Sequence, residues 1–113
     1  MDILTKKEGD CYVIIFPNYF TLESLMTWGI IIKNKIAGNT GLTLLIDTNS
    51  HNFESVECLK WLRNFLTKEI AVSQAIDKVA FIQPVIYRAP GIMSQREAYF
   101  SDINSAKKWL KMT

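Results

Sequence analysis

Short, continuous apolar runs alternate along the chain with segments in which apolar residues recur at helical spacing. Continuous β-branched and aromatic runs are typical of strands buried on both faces. They predict strands at residues 10–16, Leu42–Asp47, residues 78–83 and Glu97–Phe100. Residues 2–8 form a weaker edge-strand candidate. The turn chemistry that follows them indicates an antiparallel hairpin with the first buried run.

Two helices are predicted between these strands. Thr21 is a favourable N-cap for the first helix, and Gly38 fits the left-handed position after its end. Gly29 removes a side chain in the middle of this helix, which predicts a close approach to the sheet. The second helix is expected from residue 53 or 54 to residue 66, with residues 70–76 as a second helical piece or an extension.

The last strand runs directly into a closing amphipathic helix that is expected to begin at Ser101 or Asp102. We expect this helix to bury Ile103, Ala106, Trp109 and Leu110. Residues 85–96 read as an irregular or short helical connection. The predicted order is β-β-α-β-α-β-(α)-β-α. It indicates one α/β domain over residues 1–113, with helices packed on a mostly parallel sheet of four or five strands.

Bulk composition narrows the class of protein. The 113 residues are 49% hydrophobic and 21% charged, with a net charge of +2 and scattered basic residues. This composition is typical of an ordinary globular domain and predicts no nucleic-acid partner. The apolar runs are too short to span a bilayer, and the N-terminal residues do not resemble a secretory signal. Cys11 and Cys58 lie inside apolar elements, which indicates buried, reduced thiols and a cytoplasmic location.

Four segments resemble the STAS-like superfamily of small α/β domains. Residues 42–47 (LTLLID) are similar to the central "LLxD" strand of its SpoIIAA-like branch. Residues 77–82 (DKVAFI) are similar to the branch's "xRIAxV" strand, with lysine where arginine is usual. Residues 98–100 (AYF) and 105–110 (SAKKWL) resemble its closing "xxFxxxxxAxxWL" element. The resemblance implies a SpoIIAA-like domain, in a branch that is also related to the CRAL-TRIO lipid-carrier fold.

The chain departs from this superfamily at a functional position. Its anti-sigma-factor antagonists carry an Asp-Ser-Ser-Gly type phosphorylation motif at the start of the helix after the central strand. Residues 47–57 read DTNSHNFESVE here, so the motif is absent. Ser50 and Ser55 remain candidate phospho-acceptors, because a helix N-terminus tolerates a dianion. Glu54 and Glu57 would oppose that charge.

The loop after the central strand is the leading candidate site. Ligands gather at the carboxyl ends of strands in open α/β sheets, where helix N-termini supply free N–H donors. The candidate interaction or ligand residues are Asp47, Thr48, Asn49, Ser50, His51 and Ser55. The alternative is structural, because Asp, Asn and Ser before a helix are also what capping and turn formation require.

Catalytic chemistry is not predicted. His51, the single histidine, has possible triad partners near it in sequence (Asp47, Ser50 and Ser55), but triads depend on three-dimensional geometry that neighbouring residues of one loop rarely provide. Cys11 and Cys58 are far apart and give no zinc-site spacing. We therefore expect no enzyme activity, metal or cofactor. Trp28 and Trp61 fall off the main apolar stripes of their helices, which marks them as candidate surface aromatics. Two alternatives stay open: the aromatic and methionine residues, Trp28 and Trp61 included, are core residues, or they line a cavity for an apolar ligand.

These observations favour a non-enzymatic, cytosolic protein-interaction or regulatory module of the STAS-like kind. Its expected partner is another protein or a second copy of the chain. The contact would involve the Asp47–Ser55 loop, the helix after it and Trp61. The alternative hypothesis is a carrier or sensor of a small, lipid-like apolar ligand, by relation to CRAL-TRIO folds. Neither hypothesis includes a nucleic acid or an integral membrane segment.

Overall fold

The structure is a computed structural model, in which we describe residues 3–9, 11–17, 19–48, 52–83 and 91–111. Within these ranges the chain forms eight strands and four helices. In chain order they are β1 (Leu4–Glu8), β2 (Cys11–Ile15), β3 (Tyr19–Phe20), α1 (Leu22–Ile36), β4 (Leu42–Asp47), β5 (Asn52–Phe53), α2 (Val56–Lys68), α3 (Ile70–Ser73), β6 (Ile76–Ile82), β7 (Gly91–Ile92), β8 (Glu97–Phe100) and α4 (Ile103–Leu110).

The main sheet has the strand order β1-β2-β4-β6-β8-β7. The four central strands are parallel, which confirms the predicted parallel sheet, and β1 pairs antiparallel with β2 as the expected hairpin. At the other edge, β7 pairs antiparallel with β8. The sheet therefore has six strands where four or five were predicted. β7 was missed because a two-residue strand carries no readable periodicity.

Each face of the sheet is covered by its own apolar core. Leu44 and Ile46 of β4 pack with α1, α2 and α3, whereas Leu45 packs with α4 on the opposite face. All three side chains are fully buried. Because successive side chains of a strand point to opposite faces, only a strand covered on both sides needs a continuous apolar run. The prediction of doubly buried strands is therefore confirmed.

α1 begins and ends where the sequence predicted. The Thr21 hydroxyl accepts a hydrogen bond from the backbone N–H of Ser24 at 3.1 Å, and the Ser24 hydroxyl accepts one from the N–H of Thr21 at 2.9 Å. This reciprocal pair satisfies donors that the first helical turn leaves free. After the helix, Gly38 has φ = +85°, a left-handed conformation that glycine adopts without steric cost.

α2 begins at Val56, two or three residues later than predicted. The residues before it are held in extended conformation because β5 pairs in parallel with β3. The Glu54 N–H also donates to the Phe20 carbonyl at 2.9 Å. α3 is a separate helix, since Glu69 between the two has an extended conformation with φ = −67° and ψ = 119°.

α4 has the predicted cap but not the whole predicted buried face. Asp102 accepts a hydrogen bond from the Ser105 N–H at 2.8 Å, which lowers the pKa of this carboxyl. Ala106 and Leu110 are buried, as expected, but Ile103 is 37% exposed. The prediction for Ile103 is wrong because it occupies the first helical position, before α4 is fully over the sheet.

Gly29 allows α1 to approach α2, not the sheet as predicted. A Cβ atom on Gly29 would lie 2.8 Å from the Cη2 atom of Trp61 and 3.4 Å from Phe65.

We expect Gly29→Leu to lower the free energy of unfolding by about 2 kcal/mol, because overpacking outweighs the gain in helix propensity. Chemical denaturation measures this change. Thr27→Leu, at an exposed position of the same helix, should be nearly neutral, and equal effects would contradict the expectation.

Candidate functional site

The first two residues of the predicted loop are part of the sheet's scaffold. Asp47 ends β4 and is half-buried, and its carbonyl accepts from the Phe16 N–H at 3.0 Å. Thr48 is fully buried. Its hydroxyl and its backbone N–H both donate to the Ile82 carbonyl, at 2.9 Å and 3.0 Å. Thr48 therefore ties the end of β4 to the end of β6 and is not available to a ligand.

The middle of the predicted loop, Asn49, Ser50 and His51, lies outside the described residues, so the predictions made for these three stay predictions. Ser55 is exposed at the position before α2, and its side chain makes no capping hydrogen bond. Its carbonyl accepts from the Cys58 N–H at 3.0 Å. The role of Ser55 as a phospho-acceptor also stays a prediction.

The end of the predicted loop is tied to the start of α1. Phe53 stacks on Phe20 with ring centroids 5.6 Å apart. The Glu54 carboxylate accepts a hydrogen bond from the backbone N–H of Leu22 at 3.2 Å. A carboxylate at this position satisfies a free donor of the first turn and is favoured by the helix dipole. Within the described parts of the loop, Thr48 and Glu54 therefore have structural roles.

Among the described strands, the sheet has no topological switch point at this edge. Ligands of open α/β sheets bind where the strand order reverses, because the adjacent connections there separate to opposite faces. Here the parallel strands β2, β4, β6 and β8 follow one another across the sheet without a reversal. The helices after β2 and β4 pack in the same core, on one face of the sheet.

A buried polar cluster joins α2 to β8. Glu97 is only 8% exposed, and its two carboxylate oxygens accept from the Nε and Nη2 atoms of Arg63, at 2.6 Å and 3.3 Å. The Tyr99 hydroxyl donates to Oε2 of the same carboxylate at 2.7 Å. The hydrogen bond to Glu97 raises the pKa of Arg63, so the guanidinium is charged at any accessible pH. This cluster was missed because its members are spread over a strand and a distant helix.

A pocket of about 370 Å³ opens beside this cluster, between α2 and the ends of β6 and β8. Two apolar residues of α2 form one end of it. Charged, amide and hydroxyl side chains form most of the rest, and among the described residues its lining is Val56, Leu59, Lys60, Arg63, Asn64, Gln83 and Tyr99. Its volume is in the range of small-molecule sites, and its lining combines apolar surface with polar and charged side chains.

The prediction that Trp28 is a surface aromatic is wrong. Trp28 is 5% exposed and makes edge-to-face contacts with Phe16 and Phe20, at centroid distances of 5.6 Å and 6.5 Å. The buried stripe of α1 contains Leu25, Trp28, Ile32 and Ile36, whereas Met26 is 49% exposed. The apolar spacing fits two neighbouring stripes, and the buried stripe is the one that contains the indole.

Trp61 is half-buried, so it is partly a surface aromatic, as predicted, and partly a core residue. Its ring stacks on Phe65 with centroids 5.2 Å apart and an interplanar angle of 9°. The indole also packs against α1 where Gly29 leaves room. Trp61 therefore stabilises the α1–α2 contact with one part of its ring and remains accessible to solvent with the rest.

Exposed apolar side chains occur on α1 and at the start of α3, the two helices in contact with α2, which carries Trp61. Met26, Ile30 and Ile70 are 49%, 64% and 70% exposed. Met26 and Ile30 are one helical turn apart on the same side of Gly29 on α1, and a 3.4 Å ion pair between Lys33 and Glu69 brings the start of α3 beside the same helix. We call this surface the helical-layer patch, defined as Met26, Ile30, Trp61 and Ile70.

Metal and thiol chemistry find little support in the described part of the chain. Among the described residues, no group of three or more His, Cys, Asp or Glu side chains could hold a metal ion. Cys11 and Cys58 are free and buried, as predicted. Burial raises the pKa of the Cys11 thiol, which lowers its reactivity. None of the helices described has the length and apolar character needed to cross a membrane.

Comparison with known proteins gives one informative result. No family model matches the chain, and no curated protein does. A solved structure from Shewanella loihica PV-4 is similar over 96% of this chain and 91% of its own, with a TM-score of 0.55 and 16% identity. It is described as an uncharacterised protein of the DUF3478 family with a SpoIIAA-like fold. The predicted resemblance is confirmed at the level of the fold: this chain has a SpoIIAA-like α/β fold.

Proposed function

We propose that this chain is a non-enzymatic protein-interaction module that binds a protein partner through the helical-layer patch. The observation that carries the proposal is the exposure of Ile30 on α1 and Ile70 on α3, the two helices in contact with the helix that carries the half-buried Trp61. Isolated exposed apolar residues are ordinary on protein surfaces, but grouped ones with an aromatic anchor are typical of protein–protein contacts. The SpoIIAA-like fold and the resemblance to the STAS-like superfamily are consistent with this function.

The polar cluster supports the non-enzymatic part of the proposal. A general base needs an accessible lone pair near the proton that it removes. Both oxygens of Glu97 accept hydrogen bonds from Arg63, and one also accepts from Tyr99. This arrangement is suited to stabilising the contact between α2 and β8. The buried free thiols of Cys11 and Cys58 are consistent with a reducing, cytoplasmic compartment.

The alternative hypothesis, a carrier of an apolar ligand, is not supported by the pocket beside α2. Lys60, Arg63 and Asn64 line that pocket together with the buried amide of Gln83. An apolar ligand placed there would remove these groups from water without offering hydrogen bonds, which costs free energy. Residues 1–113 are therefore interpreted as one interaction domain in which the surface, and not an internal cavity, makes the specific contact.

Native mass spectrometry of protein purified gently from cells, beside a denatured sample, tests this proposal. We expect a complex of the chain with protein, which Ile70→Asp abolishes because a charge at the contact would be buried unpaired. Ile92→Asp is the matched control, because Ile92 is 63% exposed but lies on β7 at the sheet edge. Both substitutions are at exposed positions, so each variant should still fold and unfold in one cooperative thermal transition.

Two results would contradict the proposed function. A complex that survives Ile70→Asp as well as it survives Ile92→Asp would exclude the helical-layer patch as its surface. A chain that carries a small apolar molecule, lost on denaturation, and no protein partner would favour the carrier hypothesis instead.

A further inference from the structure

The exposed side of α1 carries an ordered stripe of four residues. Glu23, Met26, Ile30 and Lys33 lie within an arc of about 80° around the helix axis, because successive helical residues are about 100° apart. The two apolar members are 49% and 64% exposed, and Glu23 is exposed as well. The stripe therefore reads acidic, apolar, apolar, basic from the start of the helix to its end.

This stripe is complementary to itself when the helix direction is reversed. Met26 and Ile30 lie two residues before and after the level of Trp28, or about 3 Å along the axis on each side. Glu23 and Lys33 lie five residues before and after the same level, or about 7.5 Å. A two-fold axis at that level would place apolar side chains against apolar ones and each acidic side chain opposite a basic one.

We propose that the partner at the helical-layer patch is a second copy of this chain, bound as a symmetric dimer through antiparallel α1 helices. This inference rests on the proposed function and names its partner. A symmetric contact must be complementary to itself, and this stripe meets that requirement in its charges and in the positions of its apolar residues. In the dimer Met26 packs on the partner's Ile30, and Glu23 pairs with the partner's Lys33.

The surroundings of the stripe extend the contact beyond two helices. Lys33 already pairs with Glu69 at 3.4 Å. In the dimer its ammonium group lies between that carboxylate and the partner's Glu23, so one lysine serves two acidic groups. Ile70, beside Glu69, adds apolar area at the rim, and Trp61 adds its exposed ring edge. A stable contact needs roughly 800 Å² on each copy, more than one helix face provides.

Sedimentation velocity over a concentration series tests the apolar centre of the contact. We expect the wild-type chain to be a dimer, and Ile30→Asp to weaken self-association at least ~100-fold because the new carboxylate would be buried at the two-fold axis. Ile31→Asp is the matched control. Ile31 is 43% exposed on the same helix but about 100° further round, so this variant should remain a dimer.

Charge reversal tests the two-fold geometry itself. E23K and K33E, each studied alone, place like charges opposite each other twice in the dimer and should weaken it ~10-fold. An equimolar mixture of the two variants restores opposite charges at both contacts, so the mixed dimer should form with near wild-type affinity. A parallel or unrelated contact gives no such rescue. Native mass spectrometry separates the mixed dimer from the two homodimers after one variant is isotope-labelled.

The outcomes separate this inference from the proposed function. A monomeric wild-type chain at all concentrations overturns the dimer, and the proposed function still holds if cells yield a complex with another protein that Ile70→Asp abolishes. A dimer that resists Ile30→Asp, or a mixture of E23K and K33E that shows no rescue, overturns the α1 contact. A dimer lost in Ile30→Asp and kept in Ile31→Asp, together with rescue in the mixture, supports it.

Discussion

Trp28→Ala should lower the free energy of unfolding by about 3–5 kcal/mol, the range for removing a buried tryptophan. Trp28 is 5% exposed and contacts the rings of Phe16 and Phe20 edge to face. The substitution would leave a cavity between α1 and the sheet, and it would remove aromatic contacts worth more than buried area alone. Equilibrium denaturation in urea, with the midpoint and slope fitted separately, measures the change.

Met26→Ala is the control for this loss, because Met26 lies on the same helix but is 49% exposed. We expect it to change the stability of the monomer, measured at protein concentrations too low for self-association, by less than about 0.5 kcal/mol. The pair tests which of two neighbouring stripes of α1 faces the core. Comparable losses for Trp28→Ala and Met26→Ala would mean that the helix is rotated relative to the sheet from the orientation described above.

Arg63→Met should lower the free energy of unfolding by about 2 kcal/mol at neutral pH. The substitution removes two hydrogen bonds from the buried carboxylate of Glu97, whose side chain is 10% exposed, and leaves that charge without its guanidinium partner. Breaking a fully buried ion pair costs more than this. We reduce the expectation because the Arg63 side chain is 41% exposed and solvent screens part of the attraction.

A double-mutant cycle isolates the ion pair from the packing of the arginine side chain. We expect Arg63→Met and Glu97→Met together to destabilise the protein by at least about 1 kcal/mol less than the sum of the single losses. Lys60→Met is the control on the same helix, because Lys60 is exposed and its 3.5 Å ion pair with Glu57 is worth little. Additive losses would show that Arg63 and Glu97 do not stabilise each other.

The sequence predicts the central elements of this fold well because their signals are local. Leu42–Asp47 and Glu97–Phe100 have the predicted bounds, and Thr21 caps α1 as expected. A doubly covered strand must be apolar at every position, and an N-cap must offer an oxygen. These requirements act within a few residues, so they can be read without the tertiary structure.

Features that depend on contacts distant in sequence were not predictable in the same way. The late start of α2 follows from pairing between β3 and β5, and the role of Gly29 follows from an indole on another helix. Neither partner is visible from the local pattern. Trp28 was misassigned for a related reason, since two overlapping apolar stripes fit one helix and only the neighbouring Phe16 and Phe20 decide between them.

The candidate site was the least predictable part. Asp47 and Thr48 have the polar character expected of a ligand loop, but the hydroxyl of Thr48 is used to join two strands. Caps, turns and binding sites use the same residue types, so composition alone could not separate them. The helical-layer patch had only an indirect signal. Ile30 and Ile70 carried no prediction, because an isoleucine in a helical segment is compatible with the core until its exposure is known.

The sequential strand order also has a consequence for how the chain folds as it is synthesised. Each parallel strand pairs with the one made before it, so the sheet and its α1–α2 face can grow in the order of synthesis. The opposite face, which includes Val13, Leu45 and Ile82, is covered by α4, the last of the described elements. A nascent chain therefore lacks the α4 cover of this apolar face until α4 has left the ribosome. We expect a chaperone to bind the face during that interval.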